Sequence, residues 1–107
     1  MTEITTIEQL VSQLRTLTIP VAHVVFLKPQ VPPYLIYLDD TFEQTAANSE
    51  KVSEKKTIQL ELYTKPLGTA ADEETLETLL ETFTTYEKSR SHISEEGVNV
   101  TYYTFDI

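Results

Sequence analysis

The chain has 107 residues, 40% hydrophobic and 23% charged, with no cysteine and a formal charge of −9 from 17 acids against 8 bases. A chain this long hides roughly two thirds of the surface its unfolded form exposes, so one domain over residues 1–107 is expected, without a disulfide or metal staple. The absent cysteine excludes a thiolate nucleophile and zinc sites built from thiolates, and the acid excess argues against direct capture of a phosphate backbone.

The opening MTEITTIEQL carries no basic residue before Arg15 and no apolar block. A secretory leader needs both, so a soluble protein made where it works is expected. Thr5 to Leu17 reads as a helix, because Ile7, Leu10, Val11, Leu14 and Leu17 recur at spacings of three and four. Thr5 and Glu8 fit a capping box, and Pro20 ends the segment by pushing the residue before it out of helical geometry. Val21 to Phe26 is a β-branched and aromatic run, hence a strand.

Lys28 to Pro33 holds three of the five prolines and reads as an extended connector, since proline offers no amide hydrogen to a ladder. Tyr34 to Leu38 predicts the next strand, with Tyr34, Ile36 and Leu38 on one face and Leu35 and Tyr37 on the other. Apolar residues on both faces suggest an inner strand covered on each side. Asp39 and Asp40, neighbours that aim apart in an extended chain, are expected to mark its end.

Residues 41–56, TFEQTAANSEKVSEKK, are polar, with only Phe42 and Val52 as large apolar side chains. Such a stretch inside a compact domain is a functional loop, or else a hairpin arm that projects beyond the core. Thr57 to Thr64 alternates cleanly, with Ile58, Leu60 and Leu62 inward and Gln59, Glu61 and Tyr63 outward. After the Lys65-Pro66-Leu67-Gly68 turn, a second helix begins at Thr69 or Asp72. Acids crowd its first turn, where the helix dipole favours them. Leu76, Leu79, Leu80 and Phe83 form its buried stripe, and Glu73, Glu77 and Glu81 read as a solvated face. Thr84 to Ile93 and Val98 to Phe105 predict two final strands joined by a turn at Glu95-Glu96-Gly97. The expected fold is α+β, in the order α-β-β-β-α-β-β, with a mainly antiparallel sheet and two helices packed on it.

Catalytic patterns fail at definite points. His23 and His92 have no ligand-spaced partner, and Ser91, His92 and Asp106 supply the letters of a triad without its pattern. With Gly68 and Gly97 as the only glycines, no phosphate-cradling loop or nucleophile elbow fits. Glu61 is the one carboxylate of interest for acid–base work, and it alternates outward. Asn99-Val100-Thr101 matches a glycosylation sequon by chance. The expectation is a protein that is not an enzyme and that holds no cofactor and no metal.

Several segments taken together carry a resemblance. Pro33-Tyr34-x-Ile36-Tyr37, the polar arm with Asn48, Leu60-Glu61-Leu62-Tyr63-Thr64-Lys65, Leu76-Glu77-x-Leu79-Leu80 and Tyr86-Glu87-Lys88-Ser89 occur in order. They resemble a family of small tail-terminator or tail-completion proteins of siphophages and Gram-positive prophages, which join head to tail. The chain departs from the family in the arm, which is more acidic and mixed.

The resemblance implies a virion structural protein at the tail top or neck, assembled in the host cytoplasm. It implies a ring of identical copies, typically a hexamer, that caps the tail tube and docks the filled head. The implied partners are the chain itself, the major tail tube protein and a head-completion or connector protein, with no specific nucleic-acid binding and no membrane. The arm would then supply subunit and neck contacts through Asp40, Thr41, Phe42, Glu43, Asn48, Lys51 and Val52. Glu73, Glu77 and Glu81 would line the lumen, where negative charge keeps passing DNA from sticking. The alternative is a monomeric acidic adaptor, or a DNA-mimicking inhibitor of a nucleic-acid enzyme.

Overall fold

The computed structural model describes residues 4–28, 30–45, 51–65 and 70–107; for 40–45, 51–55 and 70 it describes the backbone alone. The elements are α1 (Ile7–Leu14), β1 (Val21–His23), β2 (Tyr34–Thr45), β3 (Lys51–Thr64), α2 (Ala70–Leu80), β4 (Glu87–Ile93) and β5 (Val98–Asp106). The fold is α+β in the expected order. Its five strands form one sheet ordered β1-β2-β3-β5-β4. Only the β1–β2 pair is parallel, and the other neighbours run antiparallel.

Helix α1 is capped one residue later than the sequence suggests. The Thr6 hydroxyl accepts the Gln9 amide at 3.2 Å while the Gln9 side chain accepts the Thr6 amide at 3.2 Å. This is a capping box with glutamine in the reciprocal position. Leu10 and Leu14 are fully buried, and Ile7, Leu17 and Ile19 pack around them.

Both helices lie on one face of the sheet. The register puts Leu35 opposite Leu62, Leu62 opposite Thr101, Leu60 opposite Tyr103 and Ile58 opposite Phe105. Because strand side chains alternate, all of these point to the same side, where Leu35, Ile58, Leu60, Leu62, Tyr103 and Phe105 join Leu10, Leu14, Leu76 and Leu80 in one core. Burying each such leucine contributes about 1.5–3 kcal/mol. The other face carries Tyr34, Ile36, Leu38, Gln59, Glu61, Tyr63, Tyr102 and Thr104, part-buried, together with the buried Val98 and Val100, and among the described residues no helix covers it. Strand β2 is therefore internal in sheet order but covered by helices on one side only, with Phe26 packed on Tyr34 on the other, which corrects the expectation of full cover on both.

Strand boundaries also move, β1 and β4 among them. Strand β1 stops at His23 because Val24 takes a left-handed φ of 66°, with the Val25 amide bonded to the His23 carbonyl at 2.7 Å. That three-residue turn is costly for a β-branched side chain, about 1–3 kcal/mol. Strand β4 starts at Glu87 rather than Thr84, because the chain keeps winding after α2: Phe83 and Thr84 both donate to the Leu80 carbonyl. Gly97, at φ 63°, turns the chain from β4 into β5, where a residue without Cβ adopts the left-handed region at no steric cost.

Candidate functional site

The two aspartates do not end β2. Asp39 pairs with Ile58 and Asp40 with Thr57, and the ladder continues through Thr41–Lys56, Phe42–Lys55, Glu43–Glu54 and Gln44–Ser53 to Thr45–Lys51, with an irregularity between Gln44 and Thr45. Pairing of β3 with β5 stops at Thr57–Asp106, and β1 reaches β2 only at Leu35–Tyr37. Beyond those points β2 and β3 run on as a two-stranded ribbon. Of the expected arm contacts, Asp40, Thr41, Phe42, Glu43, Lys51 and Val52 lie on β2 and β3 at or within this ribbon, while Asn48 lies outside the described residues.

The acids expected on a solvated helix face are divided. Glu73 is only 8% exposed and Glu77 is half-buried; Glu81 alone is exposed. Glu73 sits over β5 and β4, where Arg90 grips its carboxylate with two donors, one of them Nε at 3.0 Å. The Thr101 hydroxyl donates to the same carboxylate at 2.9 Å. Glu77 receives Lys88 Nζ at 2.7 Å and the Tyr103 hydroxyl at 2.7 Å. Lys88 also stands 3.5 Å from Glu73. The solvated-face expectation is thus wrong for Glu73 and Glu77. They are held against the sheet by partners on the strands beneath them.

Burial acts to raise the pKa of both carboxyls, but the pairing outweighs it. Arg90, Thr101 and Lys88 hold Glu73 below the usual carboxylate value, and Lys88 and Tyr103 do the same for Glu77. Burial, reinforced by the Glu77 carboxylate, pushes the Tyr103 hydroxyl well above the ordinary tyrosine range. The network is a clamp of charge-assisted bonds between α2 and the β5–β4 edge of the sheet. Sequence reasoning missed Lys88 and Arg90. Their two-residue spacing puts both on the helix side of β4, which shows only once β4 is known to sit beside β5.

The residues weighed for catalysis are scattered. His92 Nδ1 lies 2.8 Å from Asn99 Oδ1, and Asp106 accepts the Thr57 hydroxyl at 2.8 Å. His92 pairs with Asn99, so Asp106 lies seven residues further along β5, about 23 Å away at strand rise. Ser91 and His92 are adjacent on β4 and point to opposite faces. His23 is an exposed edge histidine, 2.6 Å from Asp39 and stacked on Tyr37 with ring centroids 4.8 Å apart. Glu61 accepts Gln59 and Tyr63 side chains at 3.1 and 2.9 Å on the uncovered face. Among the described residues no group of three His, Cys, Asp or Glu side chains is placed to hold a metal ion.

A further surface lies in the loop between β1 and β2. Val24, Val25, Leu27 and Val31 are 54%, 63%, 102% and 73% exposed, while Phe26 folds back edge-on to Tyr34 with centroids 5.4 Å apart. The signal in the sequence was an apolar run that lies against prolines instead of inside a strand. Comparison with known protein families, curated proteins and solved structures finds no match to this chain.

Proposed function

We propose that this protein is a non-enzymatic structural subunit of a phage tail, a tail terminator or tail-completion protein that forms a ring of identical copies at the head–tail joint. The observation that carries this reading is the ribbon. Strands β2 and β3 continue past every neighbour in the sheet, a form suited to reaching an adjacent copy and of little use to a protein that works alone. The sequence likeness to tail-completion proteins supplies the setting, and the net charge of −9 disfavours retention of DNA moving through a ring. Pairing of Glu73 and Glu77 with Arg90 and Lys88 weighs against a nucleic-acid-mimicking acidic face on α2, the competing reading.

The test is assembly. Purified protein, alone and with isolated phage tail tubes lacking their terminal ring, would be followed by light scattering and negative-stain imaging. Closed rings, or density capping one tube end, are expected. A protein that stays monomeric in both settings and leaves the tube ends bare would refute the proposal.

A further inference from the structure

The loop between β1 and β2 is unusual in three independent ways. A β-branched residue in the left-handed region, Val24, turns the chain out of the sheet, and backbone strain of this kind gathers where a segment has work to do. The turn then holds Val25, Leu27 and Val31 in water. Finally, no acid occurs between Glu8 and Asp39, although the chain carries 17 in all; Arg15 and Lys28 are the only formal charges in that interval.

The uncovered face of the sheet has the complementary character. A cavity of about 300 Å³ opens there, lined by Leu38, Asp39, Thr57, Gln59 and Thr104, with Ile36 and Tyr102 part-buried on the same face. Glu61 and Glu87 share this face by register. It lies along the sheet from the loop's own resting place: Phe26 is anchored at Tyr34, four residues and about 13 Å from Leu38 at strand rise.

We infer that the 24–31 loop of one copy docks on the uncovered sheet face of the next, Leu27 entering the cavity beside Leu38 and Thr104. Apolar area is removed from water on both sides, and Lys28 meets a rim that carries acids. The two patches are different parts of the molecule, so the contact is head-to-tail, the kind that closes into a ring when the rotation between copies allows. This inference rests on the ring reading and names one of its contacts.

The absence of native cysteine makes the contact directly testable. A chain carrying both Leu27→Cys and Thr104→Cys, oxidised after assembly, is expected to give a ladder of covalent oligomers on a denaturing gel. Either substitution alone gives no ladder beyond a dimer. Leu27→Asp, at a fully exposed position, is expected to abolish rings while leaving the melting temperature unchanged. If the native chain assembles but the cysteine pair yields no ladder, or Leu27→Asp assembles as well as native, the inference is overturned and the ring reading stands. If Leu27→Asp loses only tube binding, the loop belongs to the tube contact and the inference is equally overturned. A native chain that never assembles, with or without tubes, removes the ring reading and this contact together.

Discussion

Arg90 and Glu73 form a forked ion pair that fastens the edge strand β4 to helix α2, with the Thr101 hydroxyl completing the carboxylate's shell. The two partners are unequal. The Glu73 side chain is 11% exposed and that of Arg90 is 62% exposed, so the two truncations differ in what they leave behind.

Glu73→Ala strips the buried Thr101 hydroxyl of its acceptor as well as removing the ion pair. A loss of about 1–3 kcal/mol is expected. Arg90→Ala leaves a carboxylate that still receives Thr101 and Lys88, and its arginine was already mostly in water, so its loss is smaller. Urea unfolding of both variants measures the difference. Equal losses, or a larger one for Arg90→Ala, would contradict the geometry.

The same clamp sets an acid limit. Glu73 and Glu77 are held below the usual carboxylate value in the folded state, so as pH falls the unfolded chain takes up protons first. Their contribution is present above the ordinary glutamate value of about 4.3 and is lost as pH drops through the lowered values. Thermal melts between pH 7 and pH 3 should show stability falling on the acid side. The double variant Glu73→Gln, Glu77→Gln should start less stable and show a flatter acid limb.

Thr64 is fully buried, and among the described residues its hydroxyl oxygen has no hydrogen-bond partner. Valine has nearly the same shape and no polar atom. Thr64→Val should therefore raise stability by about 1 kcal/mol, an upward shift of roughly 4–8 °C in a small domain. Scanning calorimetry decides it. A lowered melting temperature would mean that the hydroxyl is satisfied after all.

Thr41 and Lys56 face each other across the ribbon. Replacing residues 42–55 with Asn-Gly, a dipeptide suited to a tight hairpin turn, should shorten the arm while keeping Lys56, whose carbonyl accepts the Ile107 amide. The expected protein has near-native far-UV circular dichroism and a melting temperature within a few degrees of native, but does not form rings. Rings of the shortened chain would remove the arm from the assembly.

Much of the fold was readable because periodicity is a local property. Ile58, Leu60 and Leu62 alternate against Gln59, Glu61 and Tyr63, and β3 contains them as expected. The cap of α1 slipped by one residue because Thr5 and Thr6 both qualify, and only the chain's path chooses Thr6 with Gln9. The exposed side of α2 was misread for a deeper reason. Glu73 and Glu77 repeat at four-residue spacing, which looks like a wet helix face until Lys88 and Arg90 arrive from β4. That meeting depends on sheet order, since β4 follows α2 in sequence yet sits at the far edge, beyond β5. The ribbon was legible as an alternative to a loop, but not as the outcome, because its polar sequence carries no clean alternation. The early end of β1 was hidden because Val24 belongs to a residue type that favours strands and was turned away from one by its surroundings.

Because β3 is both the outer rail of the ribbon and the middle strand of the sheet, mechanical load on the ribbon is not confined to a hinge. A tug along its axis draws β2 and β3 together and shears the ladder with β5, where eight residue pairs from Thr57–Asp106 to Thr64–Asn99 share the force at once. On the other flank, β1 opposes the same motion with three. The seam between β1 and β2 holds the fewer pairs, so under tension it is expected to open before the ladder with β5.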